Sequence, residues 1–245
     1  MTSEADNHVD ARCAAVYDVF EGPERDDLDA YAAMVEEFGA ASVVDVGCGT
    51  GTFATMLACR GRNVVAVDPS ALALDVARAK PHADEVTWVH GVAADLPPLQ
   101  ADMAFMTADV AQAILGDEAW METLTAIRRS LRAGGLLVFE SRDPQRRAWL
   151  EWTKANTYSS AEVDDEGTAE SWVEFGSASG AFVDFTGVLV FERDGYRVEQ
   201  QNRLQFRDRG QLTRSLESVG FVVEGIRDAP DRPGREFVFI ARVPL

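Results

Sequence analysis

The sequence predicts a doubly wound α/β fold. Its centre is a seven-stranded, mostly parallel sheet with helices on both faces and an antiparallel β insertion after the fifth strand. Three observations predict it. Apolar strand-like runs alternate with helix-like runs between residues 42 and 140, which implies parallel strands joined by crossover helices. A glycine turn, Gly47-Cys48-Gly49-Thr50-Gly51, joins the first such strand to a helix start. After Glu140 the apolar period falls to two, as antiparallel strands require.

Residues 1–10 are polar and acidic and read as loose, unlike a secretory signal. Helical spacing follows from Ala11 to about Phe20 (Val16, Val19, Phe20) and from Asp26 to Phe38 (Leu28, Tyr31, Met34, Val35), with Gly22-Pro23 between them. The alternation then gives strand 42–46, helix 51–60, strand 63–67, helix 70–79 and strand 86–90. Strand 102–106, helix 117–131 and strand 135–140 complete it. Gly61 and Gly134-Gly135 are expected to stop helices.

Asp143-Pro144 breaks the chain. Residues 145–155 read as an amphipathic helix carrying Trp149 and Trp152, and the acidic stretch Ser159 to Ala169 as a mobile loop. Period-two runs follow, one from Trp172 and one through Val183, Phe185, Leu189 and Phe191. Asp194-Gly195 is a hairpin turn signal, and Tyr196, Val198, Leu204 and Phe206 continue beyond it. Asp208 is placed to cap a helix reaching about Val219. Strands at 220–224 and 236–241 close the chain around a proline-rich turn at 228–234.

The 245 residues, 47% hydrophobic, suffice for a sizeable core. No apolar run approaches the ~20 residues that span a bilayer, so a soluble cytoplasmic protein is expected. The formal charge of −18, with lysine only at Lys80 and Lys154, repels phosphate backbones and argues against nucleic acid. Cys13, Cys48 and Cys59 show no metal-ligand spacing; neither a disulfide nor a metal is expected.

A strand, a glycine turn and a helix N-terminus together bring backbone N–H groups toward a ligand. The dinucleotide pattern Gly-x-Gly-x-x-Gly is not met, because Thr52 stands at its last position. The pattern present, Asp45-x-Gly47-x-Gly49-x-Gly51 followed by Val64-Val65-Ala66-Val67-Asp68-Pro69-Ser70, resembles motif I and the next strand of the class I S-adenosylmethionine (SAM)-dependent methyltransferases, a Rossmann-like family. The resemblance covers residues 40–141 by motif and 208–243 by pattern. Over most of its length the chain is also similar to uncharacterised bacterial small-molecule methyltransferase-like proteins, which names no substrate.

The resemblance implies SAM as cofactor, S-adenosylhomocysteine (SAH) as product, and a set of contacts. Asp68, seventeen residues after Gly51, matches the acid that accepts both ribose hydroxyls, with Pro69 and Ser70 beside it. Asp45 matches the acid that holds the loop of Gly47, Cys48, Gly49, Thr50 and Gly51 near the methionine part. Relatives often carry Gly-Asp-Ala-x-x-Leu-Pro after the third strand, with the Asp on the adenine amino group. Here the stretch is Gly91-Val92-Ala93-Ala94-Asp95-Leu96-Pro97, so Val92, Ala93 and Ala94 are left with backbone and apolar contacts. Asp95 either substitutes or caps.

Thr107, Ala108 and Gln112 fall at the methionine end. Asp109 either faces the acceptor or caps a helix, and Arg142 either grips a substrate carboxylate or pairs with a neighbouring acid. Tyr17 and Tyr31 either cover the cofactor or pack in the core. None of His8, His82 and His90 is well placed as a base, which favours an amine, thiol or carboxylate acceptor over an alcohol.

The expected organisation is residues 1–40 as helices over the cofactor site, 41–142 with 208–245 as the core, and 143–207 as a lid over a small-molecule substrate. A homodimer is compatible with it. Two other readings are a non-catalytic SAM-binding protein, kept open by Val92, and a nicotinamide oxidoreductase, opposed by Thr52.

Overall fold

The computed structural model describes residues 12–13, 16–20, 26–164, 166–229 and 231–245. Two compact units emerge: Asp26–Arg146 with Arg207–Leu245, and Arg147–Phe206 with the described residues before 26.

The larger unit begins with α1 (Asp26–Glu37), β1 (Ser42–Val46), α2 (Thr52–Cys59), β2 (Asn63–Asp68), α3 (Ala71–Arg78) and β3 (Val86–His90). It continues through β4 (Ala101–Met106), the short α4 (Val110–Ala113), α5 (Asp117–Ser130) and β5 (Leu131–Arg142). Neighbouring strands follow the order β3-β2-β1-β4-β5 and are parallel. The order reverses between β1 and β4, where open parallel sheets bind ligands.

Successive residues of each central strand enter opposite cores. Val43, Phe105 and Val138 pack with Tyr31, Val35 and Leu57, while Val44, Met106 and Phe139 pack with Trp120, Leu124 and Ile127. Burial on both faces is why these strands read as unbroken apolar runs.

Strand β5 differs from the expected 135–140. Leu131 is already extended (φ −89°, ψ 146°) and ends α5. The glycines therefore lie inside the strand and do not stop the helix. A Cβ at Gly135 would sit 2.9 Å from the Arg132 carbonyl, so glycine lets the strand bend there.

The smaller unit holds α6 (Lys154–Thr157) and a four-stranded antiparallel sheet of β6 (Ser159–Val163), β7 (Gly167–Ser179), β8 (Phe182–Phe191) and β9 (Tyr196–Gln205), in that order. The helix expected over 145–155 is instead two 3₁₀ turns, Pro144–Arg146 and Ala148–Glu151, before α6. Arg147, at φ +48°, interrupts it. The Trp149–Trp152 spacing of three suits a 3₁₀ turn as well as a helix.

Residues 159–163 and 167–169 are strand where a loop was expected: β6 pairs with β7 from Ser159↔Ser171 to Val163↔Gly167. Polar cross-strand bonds conceal this strand pair in the sequence, Thr168 donating to Glu162 at 2.7 Å and Tyr158 to Glu170 at 2.7 Å. Trp149 meets Phe206 at 4.6 Å and Trp152 meets Phe185 at 4.9 Å, so these aromatics pack within the unit. Val16 packs with Val163, Ala169 and Phe191, and the Arg12 guanidinium lies 3.9 Å over the Phe191 ring.

The larger unit resumes with α7 (Arg209–Ser218), β10 (Val222–Asp228) and β11 (Glu236–Arg242). Asp208 and Gln211 cap α7 reciprocally. Strand β11 runs antiparallel between β5 and β10, completing the seven strands.

Candidate functional site

The glycine turn is folded onto β2 by its own N–H groups. Gly47 and Cys48 donate to the Val67 carbonyl at 2.8 and 3.2 Å, and Gly51 donates to the Cys48 carbonyl at 2.8 Å. Gly49 donates to Asp68 Oδ2 at 2.8 Å. Those four donors are thus engaged within the protein, unlike the expectation that the turn presents them to a ligand. Two glycines are demanded by space as well as by backbone. At Gly47 (φ +73°) a Cβ would come 2.6 Å from Val110, and at Gly51 (φ +76°) 2.5 Å from the Trp88 ring.

Asp68, not Asp45, makes the hydrogen bond that holds this turn. Its second oxygen accepts from Ser70 N at 2.8 Å, and Ser70 caps α3 through Ala73 N. Asp45 is 1% exposed, and neither carboxylate oxygen has a hydrogen-bond partner among the described residues. Burial first, then the charge of Asp68, pushes its pKa up to about 7. An orphaned buried carboxylate beside a glycine-rich turn suits a ligand with a positive charge. The Cys48 thiol, mostly buried near both acids, is raised well above its ordinary range, which removes it as a nucleophile.

A cavity of about 410 Å³ opens at the ends of β1, β2 and β3 against the α4–α5 segment. Gly47, Asp68, Pro69, Val92, Ala93 and Ala94 line it, and Ile114, Leu115, Ala119, Glu122 and Thr123 form a wall the sequence did not reveal. Among the described residues, no lysine or arginine lines it. Asp95 is a cap: its Oδ2 accepts from Val92 N at 2.9 Å. Val92 itself is half exposed. His90 Nε2 lies 3.1 Å from the Pro69 carbonyl, and His82 pairs with Glu85 at 2.7 Å. His8 lies outside the described residues.

Beyond β4, Thr107 leads to Ala108, whose φ of +55° costs an L-residue roughly 1–2 kcal/mol. Asp109 takes the N-cap position of α4 without a side-chain capping bond. It faces Arg142 Nη1 at 3.6 Å, and Arg142 Nε reaches Glu236 at 3.2 Å. The buried Gln112 accepts from Arg142 N at 3.2 Å, while its Nε2 finds no partner among the described residues. Tyr31 is buried and donates to Glu140, so its core role is met. Thr50 is buried, and Tyr17, half exposed, belongs to the other unit.

Arg207 secures the cavity wall from behind. It is 3% exposed and donates to the carbonyls of Ala111, Ile114 and Gly116 at 3.2, 3.1 and 3.0 Å. Its guanidinium lies 4.9 Å over the Trp120 ring. Burial lowers its pKa to about 10. A charged residue following a strand and preceding a helix cap carries no sequence mark of such burial.

Residues 43–135 match the family described as methyltransferase domain. The chain is 28% identical over 195 residues to the biotin biosynthesis bifunctional protein BioHC of Cellvibrio japonicus, a match covering 74% of this chain and 37% of that protein. Among solved structures, the CcbJ methyltransferase from Streptomyces caelestis shares the fold with a TM-score of 0.76 at 24% identity, over 95% of this chain and 96% of that one. CalS10, an amino pentose methyltransferase from Micromonospora echinaspora solved with SAM bound, does so at 0.72 and 17% identity, over 99% and 98%. The strand order, with β11 antiparallel between β5 and β10, is that of the class I SAM-dependent methyltransferase fold, and residues 43–135 within it match the methyltransferase domain family.

Proposed function

We propose that this protein transfers the sulfonium methyl group of SAM to a neutral nucleophile, an amine foremost, on a small molecule. The observation that carries the reading is the cavity beside the glycine turn, whose only charged lining groups among the described residues are the carboxylates Asp68 and Glu122. Such a cavity suits a nucleoside rich in hydrogen-bond donors and is hostile to a pyrophosphate, which opposes the nicotinamide reading.

In this reading Asp68 receives the ribose hydroxyls, the apolar walls hold the purine, and Asp45 faces the positive charge of the methionine end. When bound, SAM supplies a methyl group already activated on sulfur, so the residues around it chiefly orient and exclude water. Thr107, Ala108 and Gln112 are assigned to the methionine end, and Asp109 with Arg142 to positioning the acceptor. Of the described histidines, His82 pairs with Glu85 and His90 lies against the Pro69 carbonyl, which suits an acceptor entering unprotonated. The description of CalS10 as an amino pentose methyltransferase supports an amine. Residues 147–206 are assigned to acceptor choice, because they leave the chain just after β5.

Calorimetric titration with SAM, SAH and NAD tests the cofactor, and a methyl-transfer assay over a panel of amino sugars and other small amines tests the acceptor. Binding of NAD without SAH overturns the reading. SAH binding with no acceptor methylated favours the non-catalytic alternative. Replacing 159–169 and the Asp194-Gly195 turn with short linkers is expected to spare SAM affinity and to abolish or broaden turnover; unchanged activity and selectivity would contradict that assignment.

Two further outcomes follow from the same residues. Val92→Asp is expected to tighten SAM binding by up to about tenfold, one charged hydrogen bond to the adenine amino group; a large loss in a folded variant places the purine elsewhere. SAM affinity is also expected to rise with pH and level off above about 7, the value of Asp45. The sign follows from linkage. A cation favours the carboxylate, so binding below that pH releases a proton and is opposed by acid. Calorimetry in buffers of different ionisation enthalpy reads the proton directly, and Asp45→Asn is expected to flatten the profile.

A further inference from the structure

We infer that Glu122, on α5, supplies the acceptor for the purine 6-amino group that position 92 lacks in this chain. The inference rests on the proposed binding of SAM and names how its adenine is recognised.

Among the described residues lining the 410 Å³ cavity, Asp68 and Glu122 are the only carboxylates. Asp68 lies at the end of β2, where it already binds the glycine turn and Ser70. The other side, formed by Val92 and Ala93, offers no polar side chain. Asp95, the nearest acid in sequence, is committed to Val92 N. Its carboxylate also fills the space beside Gly91, where a Cβ would lie 2.4 Å from Oδ2.

Glu122 makes no hydrogen bond or ion pair among the described residues, and its exposed side chain leaves it free to reach into the cavity mouth. Ala119, one turn earlier on α5, and Leu115 supply apolar surface in the same wall. A flat heterocycle held between Val92 and that surface would present its polar edge to the Glu122 carboxylate, the one charged acceptor among the described residues of that wall. A carboxylate is acceptor-only and fits that edge. The wall is also held in place, since Arg207 fastens the Ala111, Ile114 and Gly116 carbonyls that lead into α5.

The test is a cycle between the side chain and the amino group. Dissociation constants are measured for SAH and for its 6-deamino analogue, which carries plain purine, with wild type, Glu122→Ala and Glu122→Gln. Wild type is expected to prefer SAH by about tenfold, the effect of one charge-assisted hydrogen bond. Glu122→Ala is expected to bind both compounds alike, and Glu122→Gln, which retains a carbonyl acceptor, to recover part of the preference. Adding Val92→Asp to Glu122→Ala is expected to restore it. Helix α5 presents this side chain to solvent, so thermal melting of the variants is expected to match wild type. Wild-type preference persisting in Glu122→Ala overturns the inference while leaving SAM binding intact. A wild type that binds neither compound overturns the proposed function and this inference with it.

Discussion

Asp68→Ala is expected to weaken SAM binding by about 3 kcal/mol, roughly 150-fold, and to be the most damaging single change at the cofactor site. The carboxylate is 8% exposed, and its loss acts twice. In the proposed binding mode the ribose loses its carboxylate acceptor. The turn loses the bond from Gly49 N, and Ser70 N loses its acceptor at the start of α3. Asp68→Asn separates these effects. Its single carbonyl can still accept one N–H, so the turn is expected to hold better than in Asp68→Ala while the charged contact to ribose is gone. Calorimetry gives the affinities, and thermal melting without ligand gives the cost to the turn. Unchanged SAM affinity in folded Asp68→Ala would remove this residue from the site.

The second large effect concerns stability. Arg207→Ala is expected to destabilise the fold by about 3 kcal/mol, lowering the melting temperature by roughly 6–12 °C for a chain of this size. Three backbone carbonyls, of Ala111, Ile114 and Gly116, lose a charged donor. Trp120 loses the cation over its ring, and the core around it loses the aliphatic stem. Because those carbonyls lead into the cavity wall, SAM affinity is expected to fall too. Arg207→Lys keeps the charge but not the planar fork, and is expected to recover only part of the loss. Urea unfolding checks the first expectation and SAH titration the second. A melting temperature within about 2 °C of wild type would show that water replaces the guanidinium at no cost.

The contrast between these two residues shows where sequence reading stops. Asp68 was legible because it ends an apolar strand at a fixed distance from a glycine turn, so local period and spacing place it. The same local rules delivered β1 as Ser42–Val46 and β3 as Val86–His90 at their observed limits, and the Asp208 cap. They also told the parallel core from the antiparallel insertion.

What misled was also local. The three-residue spacing of Trp149 and Trp152 fits two kinds of turn, and β6 and β7 hide their pairing behind polar side chains that satisfy one another across the strands. Gly134 looked like a helix stop because glycine permits a positive φ, yet that freedom is used within β5.

From its sequence alone, the alternation of strands and helices in the parallel core and the acid-and-glycine turn were legible. Each depends on residues close together in the chain, whose side chains alternate or repeat with the backbone that carries them. Only the tertiary structure decided the partners. Arg207 finds carbonyls 91 to 96 residues away, and residue 16 packs on strands 147 and more positions later. Glu122 meets the same cavity as Asp68 from across the sheet edge. Burying a charge is costly until a distant segment supplies its hydrogen bonds, so no local pattern announces it. The folded chain brings those segments together, and with them the wall of the site.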